Sequence, residues 1–137
     1  MRTIVAAAAF LICPLLGAEP LLQSTSSWDG GEIAYPGGNA EITSIILRVE
    51  EGAEPPFHCH PVPTMGYVLQ GSLEVETRKG DKVLLKQGES VVEVMRTVHR
   101  GIAVDAPAEI VVFYAGAEGV PVTVLPEDDP DNTYCSP

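Results

Sequence analysis

Basic residues are scarce in this chain: eight Lys and Arg stand against nineteen Asp and Glu, a formal charge of −11. No segment gathers the few cations into a stripe that would neutralise phosphates, which argues against nucleic acid as a partner. The same field repels anionic headgroups and disfavours attachment to a membrane through a basic face. Helical periodicity is also missing. Thirteen Gly and twelve Pro in 137 residues interrupt any long helix, because Gly loses the most backbone entropy on folding and Pro lacks an N–H and clashes with the preceding turn. A helical bundle and a two-domain enzyme are thereby set aside. There is no Gly-rich phosphate loop, no nucleophile elbow, no His and Asp framework around Ser24 to Ser27, and no internal repeat.

One long hydrophobic run is present, from Ile4 to Leu16, behind Met1-Arg2-Thr3 and ahead of the small residues Gly17 and Ala18. At about 1.5 Å per residue it falls short of the roughly 30 Å of a bilayer core. Residues 1–18 therefore read as a secretory signal peptide cut after Ala18, and the protein is expected to be exported, periplasmic or secreted, with no stable membrane insertion after cleavage. Cys13 leaves with the signal, since Ile12 stands where a lipoprotein site needs a small residue. Cys59 and Cys135 remain, in a compartment where disulfides persist. A bridge between them is one reading, and a buried free Cys59 with a loose tail thiol is the other.

Residues 19–40, rich in Ser, Gly, Pro and Asn, form an N-terminal arm. From Glu41 the texture changes to short β-branched runs separated by turn residues. Ile42 to Glu50, Phe57 to His60, Gly66 to Leu69, Ser72 to Thr77, Lys82 to Leu85, Ser90 to Val94, Val98 to Val104 and Glu109 to Ala115 are the predicted strands, with Val120 to Leu125 as a last edge strand. Gln70-Gly71, Arg78 to Asp81, Gln87-Gly88 and Ala106-Pro107 supply the turns. The expected fold is all-β and antiparallel, a sandwich or small barrel over residues 41–126. Residues 127–137 read as an acidic tail, solvated and mobile. In Leu73, Val75 and Thr77 one face is dry and the other wet, while Ile110 to Tyr114, apolar on both faces, suits a central strand.

Three histidines occur in all, His58, His60 and His99. Two residues apart on a strand, His58 and His60 point to one face and Cys59 to the other. Two imidazoles on one face are half of a transition-metal site, and a third from another strand completes a facial set.

The stretch from Pro55 to Gly71 resembles the first motif of the cupin superfamily, with His58, His60 and Gly71 at the motif's positions and Thr64 where its glutamate usually stands. The second motif follows: Gly88-Glu89-Ser90 opens it, and His99 lies eleven residues after Gly88. The family's Pro-x-Gly turn is replaced by Val94-Met95-Arg96, and its late asparagine by Ala103. The resemblance spans about residues 42 to 115. It implies a jelly-roll (double-stranded β-helix) barrel in which His58, His60 and His99 bind one divalent transition metal, Fe, Ni, Zn, Cu or Co. An oxygenase or lyase acting on a small enolic or acidic molecule is the implied activity, and a non-catalytic small-molecule binding or sensing barrel is the alternative.

Thr64 offers only a neutral hydroxyl, so water or substrate is expected to take coordination positions. Glu93 is the candidate substitute carboxylate, although the letters allow either Val91 and Glu93, or Val92 and Val94, to face inward. Met65, Tyr67, Leu69, Val91 and Phe113 are expected to line or fill the barrel, with Met65 and Tyr67 near the pocket. Small cupins commonly pair, so the resemblance implies a homodimer, with Trp28 and Tyr35 of the arm laid over the neighbouring subunit.

Overall fold

The computed structural model describes residues 17–137. The signal-peptide reading of residues 1–18, apart from its last two positions, lies outside the described residues, as does Cys13.

Seven strands follow one another: β1 (Ala40–Val49), β2 (Thr64–Gln70), β3 (Ser72–Thr77), β4 (Lys82–Lys86), β5 (Ser90–Val92), β6 (His99–Ala103) and β7 (Ala108–Ala117). They form two antiparallel sheets, a four-stranded one in the order β1-β7-β2-β5 and a three-stranded one in the order β4-β3-β6. β7 lies between β1 and β2, the central place its apolar run suggested. The alternation in β3 is realised residue by residue, with Leu73, Val75 and Thr77 buried and Ser72, Glu74 and Glu76 half-buried. Burying those side chains against Val49, Val68, Val91, Ile110 and Val112 of the facing sheet makes the main core, at roughly 25 cal/mol for each Å² of apolar surface removed from water.

Short turns join the neighbouring strands. Gly71 links β2 to β3 at φ 74°, and a Cβ there would lie 2.6 Å from the Pro107 carbonyl oxygen. Both the left-handed backbone and the close approach require glycine at this motif position.

Several expectations are corrected. Phe57–His60 and Val120–Leu125 are not strands: Cys59 and Val124 meet in an isolated bridge, and His58 bridges His99. Met65, Leu69 and Phe113 do not fill the barrel but are 45%, 37% and 43% exposed on the outside, where Tyr67 also lies, half-buried. The register explains this: Met65 pairs with Phe113 and Tyr67 with Val111, so they share the face opposite Gly66, Val68, Ile110 and Val112. Strand alternation admits only one of the two sets to the core.

The tail is ordered too. Pro126–Asp128 form a short 3-10 helix, and the buried Asp129 carboxylate accepts the backbone N–H groups of Thr133, Tyr134 and Cys135. Cys59 and Cys135 form a disulfide. With Val98 and Val124 it makes a second small core, flanked by Phe57 and Tyr134. Phe57 in turn sits under the guanidinium groups of Arg78 and Arg100, at 5.3 and 4.6 Å from its ring centre.

The arm folds back on its own barrel. Ser26 and Glu32 bridge a tight turn, and the Trp28 N–H donates to the Val92 carbonyl at 3.0 Å. Trp28 packs against the main core of its own chain rather than over a neighbour, and Tyr35 is 81% exposed.

Candidate metal centre

The local chain path brings the three histidines together. His58 and His99 exchange backbone hydrogen bonds, N–H to O at 2.9 and 2.8 Å, which fastens the segment after Pro55-Pro56 to the start of β6. His60 accepts the Arg96 N–H at 2.7 Å. Cys59, between the two histidines, points the opposite way into its disulfide, as period-two geometry requires. The three rings stand 4.7 to 4.9 Å apart between centres, and the possible ligand atoms all lie within 4.8 Å of one another.

Each ring is oriented by a backbone carbonyl at Nδ1. His58 Nδ1 donates to Pro56 at 3.0 Å, His60 Nδ1 to Val122 at 2.8 Å and His99 Nδ1 to Thr97 at 2.8 Å. That pattern places the proton on Nδ1 and leaves Nε2 of each ring as the free lone pair, the arrangement metal-binding imidazoles use. All three rings are held neutral. Burial lowers the pKa of His60 to about 3, helped by its two histidine neighbours. Burial likewise lowers His58, with His99 adding to the effect, and lowers His99 against the opposing pull of the Thr97 carbonyl and Asp29.

Glu93 completes the cluster. Its parity is settled as Val91 and Glu93 inward, because Val91 pairs with the inward-facing Gly66 and the Glu93 N–H donates to the Thr64 carbonyl at 2.9 Å. One carboxylate oxygen lies 3.6 Å from His99 Nε2, and it is buried with no hydrogen-bond partner. Burial raises the Glu93 pKa to about 7, against the pull of His58 and the Trp28 indole. An unpartnered buried carboxylate beside three free imidazole lone pairs is a donor set that lacks its electrophile. These residues fit a divalent transition metal.

Thr64 is a wall rather than a ligand: it is buried, and its hydroxyl donates to the Val62 carbonyl at 3.0 Å. Met65 and Tyr67, expected near the pocket, lie outside the barrel in a second depression beside Leu21 and Leu22 of the arm. Tyr114 and Thr123 were not singled out from the sequence. The Tyr114 ring stands 5.4 Å from that of His60, and Thr123 Oγ1 lies 3.3 Å from His60 Nδ1. Tyr114 shares parity with Ile110 and Val112, so a fixed register for β7 would have found it. Thr123 arrives from a loop with no periodic signal.

The cluster forms the polar floor of a cavity of about 400 Å³. Its walls are apolar, including Ile45, Leu47, Leu73 and Val112. A pocket of this kind holds a small carbon skeleton and orients it through a few polar contacts at one end.

The sequence profile of the cupin domain matches residues 45–114, just over half of the chain and the segment that carries all three histidines and Glu93. The chain is a cupin. No curated protein matches it by sequence. Among solved structures, this cupin is similar to the DMSP lyase DddQ of Ruegeria pomeroyi, with 22% identity and a TM-score of 0.55 over 64% of this chain and 44% of that one. It is similar to the Lactobacillus farciminis oxalate decarboxylase, solved as a formate complex, at 17% identity and TM-score 0.52 over 61% of this chain and 26% of that one. An uncharacterised double-stranded β-helix protein from Klebsiella pneumoniae matches at 17% identity and TM-score 0.52, over 67% of this chain and 90% of that one. The cupin thus spans less than half the length of the DMSP lyase. At these identities the likeness shows the shared fold.

Proposed function

We propose that this cupin binds one divalent transition metal through His58, His60 and His99, with Glu93 as the carboxylate that Thr64 cannot supply, and that it acts on a small enolic or acidic molecule as an oxygenase or lyase. The observation that carries the reading is the unpartnered Glu93 oxygen 3.6 Å from His99 Nε2, in a cluster whose Nδ1 atoms are all committed to carbonyls.

When bound, the metal supplies Lewis-acid polarisation of a substrate oxygen. The chain supplies the rest. Ile45, Leu47 and Val112 hold the carbon skeleton and exclude water, and the Tyr114 ring packs against His60 to keep that imidazole in place. Three neutral imidazoles and one carboxylate leave an M²⁺ site with a net positive charge, which favours an anionic or enolisable oxygen over a neutral one. Two proteins that share this fold are named a DMSP lyase and an oxalate decarboxylase, and the lyase reading takes its reaction class from them. Imidazole donors suit Fe, Ni, Zn, Cu and Co alike, and the cupin family puts Fe²⁺ first among them.

The protein works after export as a homodimer. The apolar run at residues 4–16 supports the first statement, and the exposed apolar outer face of the four-stranded sheet supports the second.

Elemental analysis of protein purified from its native compartment tests the reading. About one transition metal per chain is expected, with His58→Ala, His60→Ala and His99→Ala each losing it and Thr64→Ala retaining it. A metal content of zero after metal-replete purification, or one unchanged in the histidine variants, overturns it. Oxygen uptake and product analysis with a panel of enolic and catecholic acids then separate oxygenase from lyase. N-terminal sequencing of exported material is expected to begin at Glu19.

A further inference from the structure

Glycine inside a strand packs nothing and loses the most entropy on folding, and where one stands a ligand often comes close. Two such glycines line the cavity, Gly66 in β2 and Gly101 in β6. Neither has a positive φ, so the backbone itself does not call for glycine at either place. The registers set each of them one step beyond the histidines. Thr64 pairs with Tyr114, whose ring stands against His60, and Thr77 pairs with His99. One step on, about 7 Å along a strand, Gly66 pairs with Val112 and Gly101 with Val75. A further step brings Val68 to Ile110 and Leu73 to Ala103. A Cβ on Gly66 would stand 3.2 Å from Val91 Cγ1, and one on Gly101 would stand 2.9 Å from Leu73 Cδ2. The missing side chains, one from each sheet, leave open the space directly beyond the histidine floor.

What surrounds that space is hydrocarbon. Ile45, Val75 and Val112 are beside it, and Leu73 and Ile110, part of the buried core, close its far end. Every polar side chain at the cavity but one belongs to the floor. The exception, Arg48, has the outward parity of β1, and its guanidinium donates to Glu109 at 2.8 Å. A ligand whose polar end rests on the floor therefore lays its remainder against apolar surface, which favours hydrocarbon, and a charge at the far end would be desolvated with no partner.

We propose that the substrate is a monocarboxylic acid with a hydrocarbon remainder, its acid group on the histidine floor and its tail in the space left by Gly66 and Gly101, the residues that set its size. This rests on the metal reading above and narrows the substrate class. Full burial of one methylene is worth about fourfold in affinity, so tail length is read directly in binding, without any assay of activity.

Protein purified from its native compartment and loaded with Co²⁺ is titrated with the straight-chain monocarboxylates from acetate to octanoate, following the visible Co²⁺ absorption and the heat of binding. Affinity is expected to climb by about two- to fourfold per methylene up to the length that fills the space, and then to level or fall. Adipate and suberate, which carry a second carboxylate at the far end, are expected to bind about 10-fold or more weakly than hexanoate and octanoate. Gly66→Ala and Gly101→Val place side chains in the space and are expected to cost the longer acids about 10-fold relative to acetate, with Co²⁺ still at one per chain. The wild-type series decides the matter if those variants fold poorly. Affinity that is flat from acetate to octanoate, dicarboxylates that bind as well as their monocarboxylates, or a length dependence unchanged in both folded variants overturns this inference and leaves the metal reading standing. If wild type takes up no Co²⁺, the metal reading falls and this inference with it.

Discussion

Arg96 occupies the glycine position of the family's Pro-x-Gly turn and keeps its left-handed backbone, at φ 63°. For a residue with a Cβ this conformation costs about 1–2 kcal/mol, and three bonds hold it. Its N–H donates to His60 O at 2.7 Å, its carbonyl accepts the Ser136 N–H at 2.7 Å, and its guanidinium donates to Thr133 O at 2.9 Å. The turn before His99 is thus shaped by contacts from the tail instead of by a glycine. Arg96→Ala is expected to be the least stable form, since it keeps the strained backbone and loses the guanidinium tie. Arg96→Gly is expected to recover about 1 kcal/mol relative to Ala. Chemical unfolding of the three proteins checks the order, and an Ala variant as stable as Gly would show that no strain resides at this position.

The tail and the disulfide act together as one element. Cys59 and Cys135 are 76 residues apart, so their bond restricts a long loop of the unfolded chain, an effect of up to about 4 kcal/mol in the chain-entropy picture. The double variant Cys59→Ser, Cys135→Ser is expected to unfold at markedly lower denaturant concentration. Its metal content is expected to stay near one per chain, because Cys59 points away from the histidines; loss of metal would mean that the bridge is needed to hold His58 and His60 in place.

Asp129 gives this element a pH dependence. The N–H of Cys135, followed by those of Tyr134 and Thr133, stabilises the charged carboxylate and lowers its folded pKa below the ordinary value, about 3.9. A depressed folded pKa contributes stability that is present above the unfolded value and is lost as pH falls through the folded one. Amide exchange at Thr133, Tyr134 and Cys135 is therefore expected to accelerate, beyond its intrinsic pH trend, as pH drops below about 4. Asp129→Asn is expected to exchange quickly at neutral pH already and to show no such acid step.

On the scale of the whole molecule, the outer face of the four-stranded sheet carries two adjacent rows by the register across β2, β7 and β1: Met65 and Phe113, ending on the polar Ser44, and Tyr67, Val111 and Ile46. Phe113, Met65 and Ile46 are 43%, 45% and 51% exposed, and contiguous apolar surface of this kind marks interaction sites. A second copy meeting this face forms the proposed homodimer with no exchange of arms, since the arm already rests on its own barrel. Sedimentation at micromolar concentration is expected to show a dimer, and Phe113→Glu a folded monomer. A monomeric wild type would remove the pairing.

The β class, the turns at Gly71 and Gly88, the shared face of His58 and His60 and the opposite direction of Cys59 were all legible in the letters. Each depends on period-two alternation or on spacing along a few neighbouring residues, which the chain carries locally. The partnership of those two histidines with His99 was legible through the spacing of two motifs. The inward turn of Glu93 was not, because Val91, Val92 and Val94 surround it with apolar residues of both parities, and only pairing with Gly66 chooses between them. Met65 and Phe113 fell outside for the same reason: hydrophobicity predicts burial, but in a two-faced sheet the register decides which apolar set reaches the core. The ordered tail, the Cys59–Cys135 bond and the seat of Trp28 against Val92 join residues far apart in the chain. Closing such loops costs entropy that only the assembled core offsets, so these contacts belong to the tertiary structure alone.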